Sequence, residues 1–249
     1  MDRAFKDRLR ANPSPSFGTW VSSSSVVVVD ALKDAGFDWF VIDTEHAQVN
    51  PETVAALVAV IAGSGRIPLV RVGSVDQYRI KQALDAGAHG VLAPLVNTPD
   101  DARAVVRFAK YPPDGVRGAA AAAASRYGRE LSTYLRTANA ATLVGVQIET
   151  REALDHLEEI AAVEGVDLLF VGPQDLTLSL GLGDDRTNPR VREAMRRVVA
   201  VCRSHGLVPG TLAVSAAEKR AAVEMGFQFI ALASDVRFLL EGARAFLEG

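Results

Sequence analysis

The chain has one cysteine, Cys202, among 249 residues. That excludes an internal disulfide and a cysteine-built metal centre, and it fits a reducing compartment. No apolar run approaches the length of a membrane span: Val26 to Val29 is far too short. Met1 to Pro15 is charged and polar, without an apolar targeting region, so a cytoplasmic protein with no membrane partner is expected. The formal charge is −3, with lysine and arginine dispersed, and nothing marks a nucleic-acid partner. The glycine fingerprint of a dinucleotide fold follows none of the strand candidates, so no organic cofactor is expected. The lysines are Lys6, Lys33, Lys81, Lys110 and Lys219, and none ends a strand candidate, which leaves a Schiff-base mechanism without its nucleophile.

What is present is a regular beat. Short apolar stretches occur at 17–21, 38–42, 67–72, 90–93, 143–148, 167–171, 207–212 and 228–233, with amphipathic segments between them. Helix starts are written locally. Asn50-Pro51-Glu52, Thr98-Pro99-Asp100-Asp101 and Asn188-Pro189 place a cap residue before a first-turn proline. Ser74-x-x-Gln77 reads as a capping box for a helix that stops at Gly87. Strands alternating with helices predict a parallel sheet, and eight such units predict a closed (β/α)8 TIM barrel. No linker divides the chain, so a single domain over 1–249 is expected, with residues 1–15 forming a polar leader helix and a turn at Asn12-Pro13. About thirty residues around YPPDGVRGAAAAAASRYG break the beat. A segment this long is usually functional or disordered, and its run Ala119–Ala124 can be a short helix; it is read as following the fourth strand and covering substrate at the barrel mouth, with Arg117, Ser125, Arg126 and Tyr127 as its notable residues.

The stretch Val144 to Leu176 reads as strand, helix, strand, with one helix spanning Thr150 to Glu164. Parallel strands joined this way finish at the same edge of a sheet. Glu149 and Asp175 therefore emerge side by side. Two converging carboxylates, with Gly172-Pro173 shaping the loop between them, can hold a divalent cation that keeps positions free for substrate. The alternative is that Glu149 caps the next helix and Asp175 is a solvated loop acid. Barrel chemistry sits where strands end. That rule collects Asp43, Glu45 and His46 after the second strand, Arg71 at the end of the third, and Thr211, Leu212, Ser234 and Asp235 after the last two. His89 and His205 precede strands and belong to the opposite face. An imidazole at the His46 position suits proton transfer near neutral pH. Arg71 either points a permanent charge into the mouth or is paired with Asp43 or Glu45, and both can hold together. Ser22 to Ser25 form a solvated loop or an anion site.

These residues carry a resemblance. DWFVIDTEHA (38–47), PLVRV (68–72), IKQALDAGAHGVLAPLV (80–96), YPPDGVRG (111–118), ASRYG (124–128), the run from Val146 to Leu176 and GTLA (210–213) are together similar to the HpcH/HpaI aldolase family. Within it they resemble the bacterial aldolases acting on 4-hydroxy-2-oxoheptanedioate and 2-keto-3-deoxy sugar acids. The resemblance implies a metal-dependent pyruvate aldolase, with Glu149 and Asp175 as ligands to Mg²⁺, Mn²⁺ or Co²⁺. It implies that Arg71 holds the pyruvate keto oxygen, that His46 is the base with Asp43 in its motif, and that Asp85 approaches such a histidine across a subunit contact. Gln147 faces pyruvate in relatives, the segment Gly172, Pro173 and Gln174 lines its carboxylate, and Leu212 belongs to the same pocket. Relatives are hexamers, trimers of dimers that exchange the last helix, here about Ser234 to Leu247. Ala119-Ala120-Ala121 stands where relatives often carry a glycine-flanked pair, and Gln174 where a small residue is usual; both departures lie on the acceptor side.

The chemistry implied is cleavage of a 4-hydroxy-2-oxo acid to pyruvate and an aldehyde, and its reverse. Two other readings stand beside it: the same enolate given to another acceptor or formed by oxaloacetate decarboxylation, and a barrel that binds an oxo acid without turnover.

Overall fold

The computed structural model describes residues 3–11 and 14–248; the turn expected at Asn12-Pro13 lies outside them. The order is α1 (Arg3–Ala11), β1 (Ser16–Val21), α2 (Val26–Leu32), β2 (Trp39–Asp43), α3 (Pro51–Gly63), β3 (Ile67–Arg71), α4 (Gln77–Asp85), β4 (Gly90–Ala93) and α5 (Pro99–Ala109). It continues through α6 (Leu131–Ala141), β5 (Leu143–Ile148), α7 (Arg151–Asp155), α8 (Leu157–Ala161), β6 (Leu168–Val171), α9 (Pro173–Ser179), α10 (Pro189–His205), β7 (Val208–Ala213), α11 (Ala216–Met225), β8 (Phe229–Ser234) and α12 (Asp235–Glu248). All strands pair in parallel in sequence order, and β1 closes on β8. The fold is a (β/α)8 barrel.

Alternation along each strand divides the apolar side chains into two cores. Trp39, Val41, Leu69, Leu92, Leu168, Phe170 and Phe229 fill the barrel interior, while Phe40, Ile42, Val70, Val91, Val146 and Val171 pack outward against the helices. Interior packing is tight enough to dictate a glycine. A Cβ on Gly18 would lie 2.1 Å from the Trp39 ring, which is stacked on Phe229 at 3.6 Å between centroids. The leader helix is not simply polar. Phe5 and Leu9 of α1 are buried against Ile67, Leu143 and Val208 at the starts of their strands and stopper that end. Lys6 and Arg10 anchor it, both ion-paired with buried Asp167 at 2.8 and 2.7 Å.

Several local expectations are corrected. Asp76, not Ser74, caps α4, its carboxylate accepting from the Arg79 N–H. The helix expected over Thr150 to Glu164 breaks at His156, whose ψ of 14° lies off the helical value. The polyvaline run, for which no element was expected, is helical and capped by Ser25. The long insertion does not lie at the mouth. It follows α5, and its backbone bonds run from Val116 and Arg117 to the carbonyls of Arg107 and Lys110. Its Arg117 is buried, 2.7 Å from Asp85 at the C-terminal end of α4, and stacks over Tyr111 with Tyr134 beyond. Helices run from mouth to base in this fold, so the insertion, with its short turn at Ala123–Ser125, covers the base.

Lys110 is the base's pressure point. Its ammonium is buried and donates to the carbonyls of Asn139 and Thr142. Burial, followed by the charge of Lys6, pulls its pKa down to about 8, against the attraction of Asp167 and Asp114. A base whose folded pKa lies below its unfolded value binds fewer protons when folded between the two, so its contribution to stability improves as pH rises through that window. The urea-midpoint difference between wild type and Lys110→Met is therefore expected to shift in favour of wild type from about pH 7.5 to about pH 9.5. An unchanged difference would contradict this.

Candidate active site

The C-terminal ends of the strands open on a cavity of about 350 Å³, whose lining includes Asp43, His46, Arg71, Gln147, Gly172 and Asp175. Pro173, Gln174 and Leu212 belong to the same wall. Asp43 and Arg71 end adjacent strands in direct register. Parallel neighbours in register present side chains on one face, so the pair meets. Arg71 Nε and Nη2 donate to the two Asp43 oxygens at 3.0 and 2.8 Å, and Nη1 lies 3.0 Å from Glu45 Oε2. The guanidinium also covers the Trp20 ring at 4.3 Å. Both alternatives for Arg71 thus hold: it is ion-paired, and it lines the mouth. Asp43 Oδ1 further accepts from the backbone N–H groups of Glu45 and His46, which fixes the turn carrying the histidine. The His46 ring is exposed, its Nε2 3.7 Å from Glu45.

On the other side, Glu149 is buried just past β5. It does not cap the next helix. Thr150 does, accepting from the Ala153 N–H. Glu149 Oε1 instead accepts from the Leu95 N–H at 2.8 Å, and Oε2 from the Gln147 amide. Leu95 stands at φ 50°, a left-handed conformation that an ordinary residue adopts only under constraint. Burial holds the Glu149 carboxyl above its ordinary pKa; the Leu95 N–H opposes that, and the charges of Asp175 and Glu45 reinforce it. Burial likewise raises Glu45, with Arg71 opposing. Asp175 lies in the first turn of α9 rather than on a loop, and is solvated.

Gly172 decides whether these groups fit a cation. A Cβ there would sit 2.7 Å from Glu149 Oε2 and 3.6 Å from Asp175 Oδ2. Glycine therefore keeps open a space bordered by both carboxylates. Gln147 Oε1 is buried nearby without a hydrogen-bond partner. An all-oxygen surround of this kind fits a hard divalent ion. Among the described residues no group of three or more His, Cys, Asp or Glu converges on one point.

Comparison with known proteins fits this geometry. A profile of the HpcH/HpaI aldolase/citrate lyase family matches residues 16–241. The chain belongs to that family. It is 40% identical over 247 residues to the 4-hydroxy-2-oxo-heptane-1,7-dioate aldolase of Salmonella dublin, covering 98% of this chain and 93% of that one. A crystal structure of a family member from Burkholderia cenocepacia J2315 superposes with a TM-score of 0.95 at 40% identity, covering 99% of this chain and 98% of the other. The HpcH/HpaI aldolase of Desulfitobacterium hafniense DCB-2 gives 0.90 at 30%, covering 98% and 95%. As a family member the protein is a carbon–carbon lyase.

One residue of this aldolase-family mouth escapes sequence reasoning. Leu95 acts through its backbone, which no side-chain pattern announces. Glu45, collected at the rim, forms the ion pair with Arg71 given as an alternative above. The serines Ser22 and Ser23 do meet an anion, and it is the protein's own: Asp235 accepts from both N–H groups and from Ser23 Oγ. Asp85, at the base, is on the far side of its own barrel from His46.

Gly172→Ala should leave the circular dichroism spectrum intact and weaken Mn²⁺ binding, read by calorimetry, by about tenfold or more, the range seen when groups around metal ligands are disturbed. Wild-type affinity in that variant would show that the space is not used.

Proposed function

We propose that the protein is a metal-dependent aldolase that cleaves 4-hydroxy-2-oxo acids to pyruvate and an aldehyde, and joins them in reverse. The observation that carries this reading is the space kept clear by Gly172 between Glu149 and Asp175, in a chain whose curated relative acts on such an acid. Glu149 and Asp175 would hold the cation, which when bound supplies electrophilic pull on the substrate's oxo and carboxylate oxygens. Mg²⁺, Mn²⁺ and Co²⁺ all suit the oxygen donors.

The remaining work falls to the chain. Breaking the C3–C4 bond leaves its electron pair on pyruvate as an enolate, while the C4 hydroxyl loses its proton and becomes the aldehyde carbonyl. His46 takes that proton and returns it in the synthetic direction. Arg71 commits two of its five N–H donors to Asp43, and its Nη1 is ion-paired with Glu45. The others remain for the oxygen on which negative charge develops, and their positive charge is already oriented when it does. Asp43 aligns both partners, since it holds the arginine and the His46 backbone together. Gln147 offers its unpartnered oxygen, and the Gly172–Gln174 segment and Leu212 wall the pyruvate pocket.

The oligomer proposed is a hexamer of exchanged dimers. Leu239, Leu240, Phe246 and Leu247 of α12 are exposed apolar side chains that a second copy would cover. The same assembly would let Asp85 approach His46 of a neighbour. A cytoplasmic enzyme is the simplest setting, as no helix among the described residues is long and apolar enough to cross a membrane.

Exhaustive chelation is expected to abolish pyruvate release from 4-hydroxy-2-oxo acids in a lactate dehydrogenase-coupled assay, and added Mn²⁺ or Mg²⁺ to restore it. Glu149→Gln and Asp175→Asn should not be restored at ordinary metal concentrations. Arg71→Met should lose about 10² to 10³ in kcat, the scale of one missing donor to a developing oxyanion. Full activity after chelation, with no metal in the sample, would end the proposal.

A further inference from the structure

Glu149 is held in part by backbone. It leaves the end of β5 on a flexible side chain, and its two oxygens have different surroundings. Oε2 borders the gap kept open by Gly172 and accepts from the Gln147 amide. Oε1 accepts from the Leu95 N–H at 2.8 Å. With Oε1 tied, a rotation that carried Oε2 out of the gap would break the Leu95 bond. The donor at Leu95 therefore bears on where the other oxygen stands.

Leu95 keeps this position at a conformational cost. At φ 50° its Cβ crowds the backbone, and a residue stays there only where its surroundings insist. Burial of its own side chain is no compensation, because the leucine is 56% exposed. The chain on either side is fixed independently. Ala93 ends β4 in register with Val146, and Val96 is fully buried. The N–H groups of Asn97 and Thr98 donate to Asp101 Oδ2 in the capping box of α5. Asn97 Oδ1 accepts from the Thr150 hydroxyl, and the Asn97 carbonyl lies 3.1 Å from His156 Nδ1, so this turn is stitched to the segment that follows Glu149. Among the described residues the hydrogen bond made by the strained residue itself is the one to Glu149.

We infer that Leu95 is a positioning residue for the cation site: its backbone N–H, aimed by the left-handed turn, holds Glu149 so that Oε2 stays at the gap shared with Asp175 before a cation arrives. The turn between β4 and α5 thus takes its shape for the site and not only for the path of the chain. Leu95 does this from outside the residues that line the cavity. The inference rests on the metal-dependent reading above and adds to it a residue that acts through Glu149.

Because the leucine side chain is exposed, substitutions there alter the preference of the backbone without opening a cavity in the core. Asparagine and glycine accept the left-handed region, whereas valine, branched at Cβ, is an outlier in it. Mn²⁺ affinity, read by calorimetry, is expected within about twofold of wild type in Leu95→Asn and Leu95→Gly, and about tenfold weaker in Leu95→Val, the scale of a disturbed support to a metal ligand. A turn that serves the chain's path alone would lower the thermal midpoint of Leu95→Val and leave its Mn²⁺ affinity unchanged, and that result overturns the inference. So does an equal loss of affinity in all three variants, which would assign the effect to the leucine side chain. Should Leu95→Val fail to fold, an amide-to-ester replacement at Leu95 removes the N–H and keeps the side chain: binding weakened about tenfold supports the inference, and unchanged binding overturns it. If wild type itself binds no Mn²⁺, the metal-dependent reading fails and this inference fails with it.

Discussion

Two carboxylates brought to one rim repel each other, and much of this mouth is arranged around that repulsion. Glu149 is buried and solvated by the protein, through the Leu95 N–H and the Gln147 amide. Asp175 is left to water at the first turn of a helix, where the helix N-terminus favours a negative charge. Gly172 between them adds no atom to the gap. Each device lowers the cost of keeping acids adjacent, and one of them, the left-handed backbone at Leu95, itself costs conformational energy. A purely structural role would not call for such an arrangement, because moving either acid outward would relieve it.

The barrel makes the arrangement possible by separating its tasks. Its inward side chains form a packed interior that ends, at the mouth, in polar residues: Val41 gives way to Asp43 and Leu69 to Arg71 two residues further along the same face. The Asp43–Arg71 bond is thus a consequence of register, as fixed as the sheet itself. The base is given over to stability, with Asp167, Lys6, Arg10 and Lys110 tying the leader helix and α5 to the strand starts, and the Arg117–Asp85 pair tying the long insertion to the end of α4.

The sequence was most legible where burial is two-sided. Strands such as Leu168–Val171 are covered on both faces and so read as continuous apolar runs; the eight expected stretches match the observed strands to within a residue or so at either end. Caps that combine a side-chain acceptor with a first-turn proline, as at Asn50, Thr98 and Asn188, were equally plain. Where two acceptors compete the choice was invisible: Ser74 and Asp76 both precede a helix, and the stronger anionic acceptor wins. The length of the insertion marks it as unusual but says nothing of which end of the barrel it covers. It comes after the helix of its βα unit, not before it, and so returns to the base. Strand ends gave Asp43, Arg71, Glu149 and Asp175 their places at the mouth; what could not be read was the contact made by backbone, at Leu95.

The stopper at the base has a bearing on traffic through the enzyme. With Phe5 and Leu9 seated among the strand starts and a packed interior above them, the cavity at the mouth has no passage through the barrel among the described residues. Whatever is split inside leaves through the doorway by which it came, and the fragment resting nearer the threshold stands in the way of the one behind it.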